Sequence, residues 1–105
     1  MTTIESGCKF VIFTSMCGNR GKYFIFNGKK EGEYKEYYSN GLLDIICNYK
    51  NDKREGEYKS YYNNKQLYKI CNYKNGDLEG EHKKYWANGR LYGIYNCKNG
   101  KKIEI

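Results

Sequence analysis

One stretch of this chain decides its fold: Gly32-Glu33-Tyr34-Lys35-Glu36-Tyr37-Tyr38-Ser39-Asn40-Gly41. It returns 24 residues later as Gly56-Glu57-Tyr58-Lys59-Ser60-Tyr61-Tyr62-Asn63-Asn64-Lys65, and again as Gly80-Glu81-His82-Lys83-Lys84-Tyr85-Trp86-Ala87-Asn88-Gly89. A fixed period of this length indicates a repeat protein, in which copies of one structural unit stack side by side. Residues that the copies share therefore report how the unit folds, and function is to be sought in how the copies differ.

The composition is that of a small, ordered and polar domain. At 105 residues the chain is one domain at most, and 17% of its residues are aromatic, which disordered chains lack. Its only apolar run, Phe10-Val11-Ile12-Phe13, is too short for a signal peptide core or a membrane span. Five cysteines, an odd number without close pairs, do not make a secreted disulfide framework. We therefore expect a soluble, intracellular protein.

The formal charge of +7 is unevenly distributed along the chain. Residues 1–31 carry +3, and the three repeats, 32–55, 56–79 and 80–105, carry −1, +1 and +4. The ends are basic and the middle is nearly neutral, whereas a nucleic-acid groove shows a continuous basic stripe. Solubilising lysines in turns and on strand edges explain this pattern better than nucleic-acid binding does. Residues 1–31 match the repeat only loosely, so we expect them to form a degenerate capping hairpin.

Turn signals divide each repeat into two strands. Asn-Gly favours a type I′ hairpin turn, which needs positive φ at both positions, and it begins at Asn27, Asn40, Asn75, Asn88 and Asn99. At the matching places stand Asn51-Asp52, in the first repeat, and Asn64-Lys65, in the second. The segments between turns are seven to nine residues long, which suits strands and is too short for helices. The sequence thus predicts an all-β, single-layer antiparallel meander of about eight strands.

Two-residue turns fix the strand register, so the two faces of the sheet can be predicted. Around Asn40-Gly41 we expect the pairs Tyr38 with Leu43, Glu36 with Ile45, Tyr34 with Cys47, and Gly32 with Tyr49; around Asn75-Gly76, Tyr73 with Leu78 and Cys71 with Gly80. The first face is the side that carries Tyr34, Cys47 and Tyr49. Its residues expected to pack in a core or between protomers are Tyr38, Leu43, Tyr62, Leu67, Trp86 and Leu91.

A single sheet cannot cover its own apolar face, and monomers rarely expose a patch of that size. We therefore expect a homodimer or a larger assembly. The alternative is that the N-terminal strand folds over part of the first face.

The second face, opposite the first, is amphiphilic and includes Asp44 and Ile46. The same slots of each repeat place a tyrosine flanked by a lysine on it: Tyr37, Tyr61 and Tyr85, with Lys35, Lys59 and Lys83. Tyrosine is large, stiff and amphipathic, and protein interfaces are enriched in it. We predict that these six residues bind a protein partner; the plainer alternative is that the rings only shield neighbouring strands.

A glycine opens each repeat, at Gly32, Gly56 and Gly80. Glycine weakens a strand, and in the predicted register these three face Tyr49, Tyr73 and Cys97. We expect an aromatic ring to lie over the missing side chain.

No residue pattern points to catalysis. His82 fills the slot that Tyr34 and Tyr58 fill in the other repeats, so it is most simply a packed ring. Gly18–Lys22 lacks the spacing, the Ser or Thr and the following helix of a phosphate-binding loop, so it predicts a hairpin turn. The recurring Glu33, Glu57 and Glu81 favour cross-strand pairing with lysines over a carboxylate active site. We expect no enzyme activity and no cofactor.

The cysteines do not have the spacing of a zinc site, and no metal is expected. Cys47 and Cys71 are predicted to lie two strands, roughly 10 Å, apart, which is too far for a disulfide. We expect them to be free core residues. A bond between Cys8 and Cys17 stays open if the first hairpin brings them together.

The spacing Gly-x-Tyr-x-x-Tyr-Tyr-x-Asn-Gly, followed by Leu and by Tyr-x-Asn-Gly, resembles the MORN family over residues 21–102. It is closest to the variant found in bacterial antitoxin-like proteins and in large DNA viruses, although Asn64-Lys65 departs from it where glycine is expected. The resemblance implies one elongated, twisted sheet of hairpins that acts as an interaction scaffold. Some members are associated with membrane lipids, and some bacterial members with neutralising a toxin.

Two functions follow from these observations. The first is a scaffold that binds a protein partner through its tyrosine- and lysine-bearing face. The alternative is binding of anionic lipid or nucleic acid through the basic ends, or antitoxin-like neutralisation of a toxin. Salt distinguishes charge-driven binding, because it weakens steeply as ionic strength rises.

Overall fold

The computed structural model describes residues 8–103, which form one open antiparallel sheet. Its strands are β1 (Cys8–Thr14), β2 (Arg20–Phe26), β3 (Lys29–Tyr37), β4 (Leu43–Lys50), β5 (Lys53–Arg54), β6 (Gly56–Tyr61), β7 (Leu67–Lys74), β8 (Asp77–Leu78), β9 (Gly80–Tyr85), β10 (Leu91–Lys98) and β11 (Lys101–Ile103). Their spatial order is β1-β2-β3-β4-β6-β7-β9-β10-β11, with β5 beside β4 and β8 beside β7. The sheet measures 54 × 34 × 20 Å.

The predicted all-β hairpin meander is confirmed, and the described residues contain no helix. The number of strands exceeds the expected eight, in part because two-residue strands, β5 and β8, precede β6 and β9. The first hairpin extends the sheet sideways: β1 pairs with β2 along its whole length, from Cys8 opposite Phe26 to Thr14 opposite Arg20. The N-terminal strand therefore does not fold over the first face, and that alternative is wrong.

Two kinds of turn alternate along the sheet. At Asn27-Gly28, Asn51-Asp52, Asn75-Gly76 and Asn99-Gly100 both residues have positive φ, as the predicted type I′ turn requires. At the other three turns only the second residue does, namely Gly41, Lys65 and Gly89. At the turn that contains Gly41, the N–H of Tyr38 donates to the carbonyl of Leu42 at 2.8 Å and encloses a three-residue loop. The Asn40 side chain accepts the N–H of Leu42, and the other two turns have the same backbone hydrogen bond. The type I′ prediction is wrong for these three turns.

The extra loop residue changes the register beside these three turns. Gly32, Tyr34 and Glu36 pair with Tyr49, Cys47 and Ile45 as predicted, but a bulge follows and Leu43 pairs with Tyr37. The other repeats do the same, with Tyr61 opposite Leu67 and Tyr85 opposite Leu91. Because a shift of one residue reverses the face, Tyr38 and Leu43 lie on opposite faces and their predicted pairing is wrong.

Near the type I′ turns a long strand pairs first with a two-residue strand and then with the next long strand. The register differs by two residues between these two pairings, which leaves each side chain on the same face. Tyr73 pairs with Leu78 as predicted, but Ile70 pairs with Lys83, so Cys71 lies across from His82 and not from Gly80.

The opening glycines are required by backbone conformation: φ is +85° at Gly32 and Gly56 and +84° at Gly80, and no atom lies within 4 Å of where a Cβ would be. Gly32 and Gly56 do pair with Tyr49 and Tyr73. The expected ring over these glycines is nevertheless wrong. Such a ring lies over Gly21 instead, where an added Cβ would be 2.2 Å from the ring of Phe13.

The core lies on the first face and is small. Cys47 and Cys71 are 2% and 1% exposed, as predicted for free core cysteines, and Tyr58 packs against them. Partly buried side chains surround this cluster: Tyr34, Ile45, Tyr49, Tyr73 and Leu78. Burial raises the pKa of the Cys47 thiol to about 11 and that of Tyr58 to about 12.

Cations fill the gaps between tyrosine rings on this face. Lys30 Nζ lies 5.1, 5.8 and 5.0 Å from the ring centres of Tyr23, Tyr34 and Tyr49. One period later the Arg54 guanidinium lies 4.9 Å from Tyr58 and 5.4 Å from Tyr73. Cation–π contacts of this kind contribute roughly 0.5–2 kcal/mol each and let lysine and arginine serve as core residues.

Neighbouring repeats are joined by a repeated set of hydrogen bonds. The Tyr38 hydroxyl donates to the carbonyl of Tyr61, and the Tyr62 hydroxyl donates to that of Tyr85 at 2.8 Å. At the other edge a glutamate of one repeat accepts the turn N–H of the next, as Glu55 does from Asn75 at 2.9 Å. These contacts hold the hairpins in a fixed lateral register.

Candidate functional site

The second face is built from three rows of side chains that run across the strands. The middle row follows direct cross-strand partners and alternates lysine and isoleucine from Lys35 onward. It runs Ile12, Lys22, Lys35, Ile46, Lys59, Ile70, Lys83 and Ile94. A second row holds the tyrosine–leucine pairs at Tyr37, Tyr61 and Tyr85, and a third holds glutamate–asparagine pairs such as Glu57 with Asn72. Equivalent side chains recur every two strands, about 10 Å apart.

Each lysine of the predicted site lies beside a glutamate of its own strand. The distances from Nζ to Oε1 are 3.6 Å for Lys35 with Glu33, 3.4 Å for Lys59 with Glu57 and 3.3 Å for Lys83 with Glu81. The lysine side chains are 30–35% exposed and the glutamates 52–55%. Exposed pairs of this type contribute little to stability. They leave three ordered, nearly neutral charge pairs at the surface.

The predicted tyrosines are half-buried and share their row with leucines. The bulge that moved Leu43, Leu67 and Leu91 to this face places each of them directly opposite a tyrosine. A shallow groove of about 240 Å³ lined by Leu42, Leu43, Tyr61 and Lys65 separates the first pair from the second. The structure thus brings all six predicted site residues onto one face, and it adds three leucines that the predicted register had placed on the other.

The set expected to form a core or protomer interface is divided by the bulge. Tyr38, Tyr62 and Trp86 stay with the first face, where Tyr62 packs on Tyr68 with ring centres 5.0 Å apart and Trp86 on Tyr92 at 4.4 Å. Leu43, Leu67 and Leu91 leave it. The continuous apolar patch on which the expected homodimer or larger assembly rested is therefore divided between the two faces, and the oligomeric state stays a prediction.

A polar cluster that the sequence did not reveal lies at the N-terminal end of the first face. The side-chain amide of Asn19 donates to Glu36 Oε2 at 3.0 Å and to Asp44 Oδ2 at 2.9 Å. Asp44 was expected on the second face, but the bulge turns it toward Glu36. Burial raises the pKa of the Asp44 carboxyl. The cluster ties the loop at 15–19 to β3 and β4, and its only sequence signal is that Asp44 replaces Tyr68 and Tyr92 of the later repeats.

His82 is the packed ring that the sequence predicted. It is 6% exposed, and its ring centre lies 4.8 Å from that of Tyr95. Burial, together with Lys69 and Lys84, lowers its pKa. Within residues 8–103 no three histidine, cysteine, aspartate or glutamate side chains are grouped closely enough to hold a metal ion. Over the same residues no helix has the length and apolar character needed to cross a membrane.

Comparison with known families agrees with the geometry. A family model described as the MORN repeat variant matches residues 30–51, 54–75 and 78–99. These three segments follow the 24-residue period and cover β3 to β10 apart from short gaps. No curated protein matches the chain. The chain, an open sheet of hairpin repeats, belongs to the MORN repeat variant family.

Proposed function

We propose that the chain is a non-enzymatic scaffold that binds a protein partner through the second face. MORN repeats are commonly modules of protein or membrane interaction. The observation that supports this face is its regularity: the same tyrosine, leucine, lysine and isoleucine slots recur in register on successive hairpins. A partner with an extended surface can therefore make the same set of contacts with each of several hairpins.

The chemistry of the rows suits a protein surface. Tyrosine and leucine supply apolar area at low conformational cost, and the lysine–glutamate pairs supply register and specificity. Because Lys35, Lys59 and Lys83 are each already paired with a glutamate, binding through them should depend only modestly on salt. A toxin neutralised by the scaffold is one partner of this kind.

The test is a variant that carries Tyr37→Ser, Tyr61→Ser and Tyr85→Ser, with Asn48→Ser, Asn72→Ser and Asn96→Ser as the matched control. Both sets change three exposed or half-exposed slots of the same face, one set in the tyrosine row and the other in the asparagine row. Partners captured by photo-crosslinking from the native cell should be lost with the tyrosine variant and kept with the control. Unchanged capture by a folded tyrosine variant would contradict the proposal.

A second candidate is binding of an anionic surface, favoured by one pair of lysines. Lys69 and Lys84 are direct cross-strand partners on the first face, and neither has a carboxylate within ion-pair distance in the described part of the chain. Lys69 lies over the ring of Tyr58, and two ammonium groups on neighbouring strands without a carboxylate beside them attract phosphate. Co-sedimentation with phosphatidylserine vesicles at low salt, abolished at high salt and by Lys69→Gln with Lys84→Gln, would support it.

A further inference from the structure

The exposed large apolar side chains of the described residues lie at the two ends of the sheet. At the first end are Phe10, Ile12, Met16, Phe24 and Phe26, and at the last are Trp86, Leu91, Tyr92, Ile94 and Ile103. None lies between residues 27 and 85. In a polar chain whose interior hairpins leave no such side chain exposed, this distribution marks both ends as contact surfaces.

Both ends also carry strand edges that the described residues leave open. In residues 8–103, β1 pairs only with β2, and β11 pairs only with Asn96–Lys98 of β10. The outer edge of β10 at Gly93 and Ile94 has no partner there, whereas the equivalent edges of β4 and β7 are covered by the next repeat. That coverage is short: Ile45 and Ile46 pair with Ser60 and Lys59, and two matching pairs join β7 to β9.

We propose that copies of this chain associate head to tail, with β1 of one copy pairing with the open edge of β10 of another. The direction is correct, because β1 and β10 run antiparallel in a sheet that continues the meander. The register is also set. Phe13 and Gly93 end the same first-face row, while Ile12 and Ile94 end the middle row of the second face.

Joining the ends therefore places Ile12 against Ile94 and Phe13 against Gly93 at once. Ile12 and Ile94 are 72% and 48% exposed, so their contact removes apolar surface from water on both copies. Nothing lies within 4 Å of a Cβ built on Gly93, which leaves room for the ring of Phe13. Phe13 already packs on one glycine of its own sheet, Gly21, and Gly93 gives it a second.

The tail also offers the hydrogen-bond donors that join repeats inside the chain. Trp86 occupies the slot of Tyr38 and Tyr62, whose hydroxyls donate to a carbonyl of the following repeat. In the proposed register its indole N–H faces the carbonyl of Thr14 of the second copy. Trp86 is the chain's only tryptophan, so its fluorescence reports on this contact directly.

The association should be weak, since the contact is far smaller than a standard interface. Both ends are basic, so added salt should strengthen it by screening their repulsion. Sedimentation velocity over a micromolar-to-millimolar series should show growth with concentration, accompanied by a blue shift of Trp86 emission. A protein that stays monomeric at millimolar concentration in high salt overturns the proposal.

Two variants test the head-to-tail arrangement. Ile12→Glu blocks the head and leaves the tail intact; Ile94→Glu does the reverse. Each alone should be monomeric, while their equimolar mixture should form a dimer that grows no further, because only one productive contact remains. Ile46→Glu, in the same row at the centre of the sheet, is the control and should associate like the wild type.

Two other outcomes would contradict head-to-tail pairing. Association that persists in Ile12→Glu alone means that tails bind tails, and a mixture that stays monomeric means that the heads do not bind tails. Either result overturns the proposal. Circular dichroism of each variant confirms the fold, and both substituted side chains are exposed enough that folding should be retained.

Discussion

The hydrogen bond from Tyr62 to the carbonyl of Tyr85 should be a measurable part of the contact between the second and third repeats. Tyr62→Phe removes the hydroxyl and keeps the ring packed against Tyr68, so the apolar contact is unchanged. A neutral hydrogen bond of 2.8 Å contributes about 1 kcal/mol. For a domain of this size that corresponds to a fall in Tm of about 4–8 °C.

The matched control is Tyr61→Phe, which removes the neighbouring hydroxyl from the second face, where residues 8–103 give it no hydrogen-bond partner. Thermal unfolding followed by circular dichroism should place Tyr61→Phe within about 1 °C of the wild type, since surface changes away from such contacts are small. Amide hydrogen exchange should accelerate in the third repeat of Tyr62→Phe more than in the first. Equal Tm values for the two variants would refute the assignment of the hydroxyl as a repeat-to-repeat contact.

Three further results are expected. Burial lowers the pKa of His82 in the folded state, so the unfolded chain binds more protons in acid. The free energy of unfolding should therefore be highest above about pH 6.5 and fall below it. Chemical-denaturation curves of His82→Tyr should lack that decline. Gly56→Ala, at φ +85°, should cost about 1–2 kcal/mol in the free energy of unfolding, whereas Gly93→Ala, with equal space and no positive φ, should be neutral or stabilising. Cys17, exposed and with its thiol pKa lowered by a hydrogen bond with Ser15, should react with iodoacetamide long before buried Cys47; mass spectrometry that finds Cys47 labelled first would contradict this.

Periodicity in the sequence was enough to predict the class of fold and the second face. Tyr37, Lys35 and their equivalents lie where the alternation of strand residues placed them, because the part of each hairpin distant from the three-residue loop keeps the predicted register. The same argument placed His82 among packed rings. These predictions depend only on which residues share a slot.

What the sequence did not predict depends on a single extra loop residue. Asn-Gly fits a type I′ turn and also a three-residue loop in which only the glycine has positive φ, so the dipeptide alone does not distinguish them. Lys65 occupies the one position of this loop that needs positive φ, and its φ is +74°. The replacement of glycine by lysine there was the available sign in the sequence that this turn differs from type I′. The missed displacement moved Leu43 to one face and Asp44 to the other. The Asn19 cluster escaped prediction for a different reason, since its loop has no copy elsewhere in the chain with which to be compared.

The cation positions on the first face have a consequence for how such an array can change in length. Lys30 and Arg54 occupy equivalent positions of two repeats, and each lies against the tyrosine rings found four and nineteen residues further on: Tyr34 and Tyr49, then Tyr58 and Tyr73. Leu78 is the equivalent residue of the third repeat, where the same spacing leads to His82 and Cys97. The repeat that has leucine in place of the cation thus also lacks both tyrosines. Each trio is contained in one hairpin unit, so duplication or deletion of a whole unit carries a matched set with it. Exchange of a single member, such as Leu78→Arg, introduces a guanidinium into a unit whose own positions four and nineteen residues further on hold no tyrosine ring.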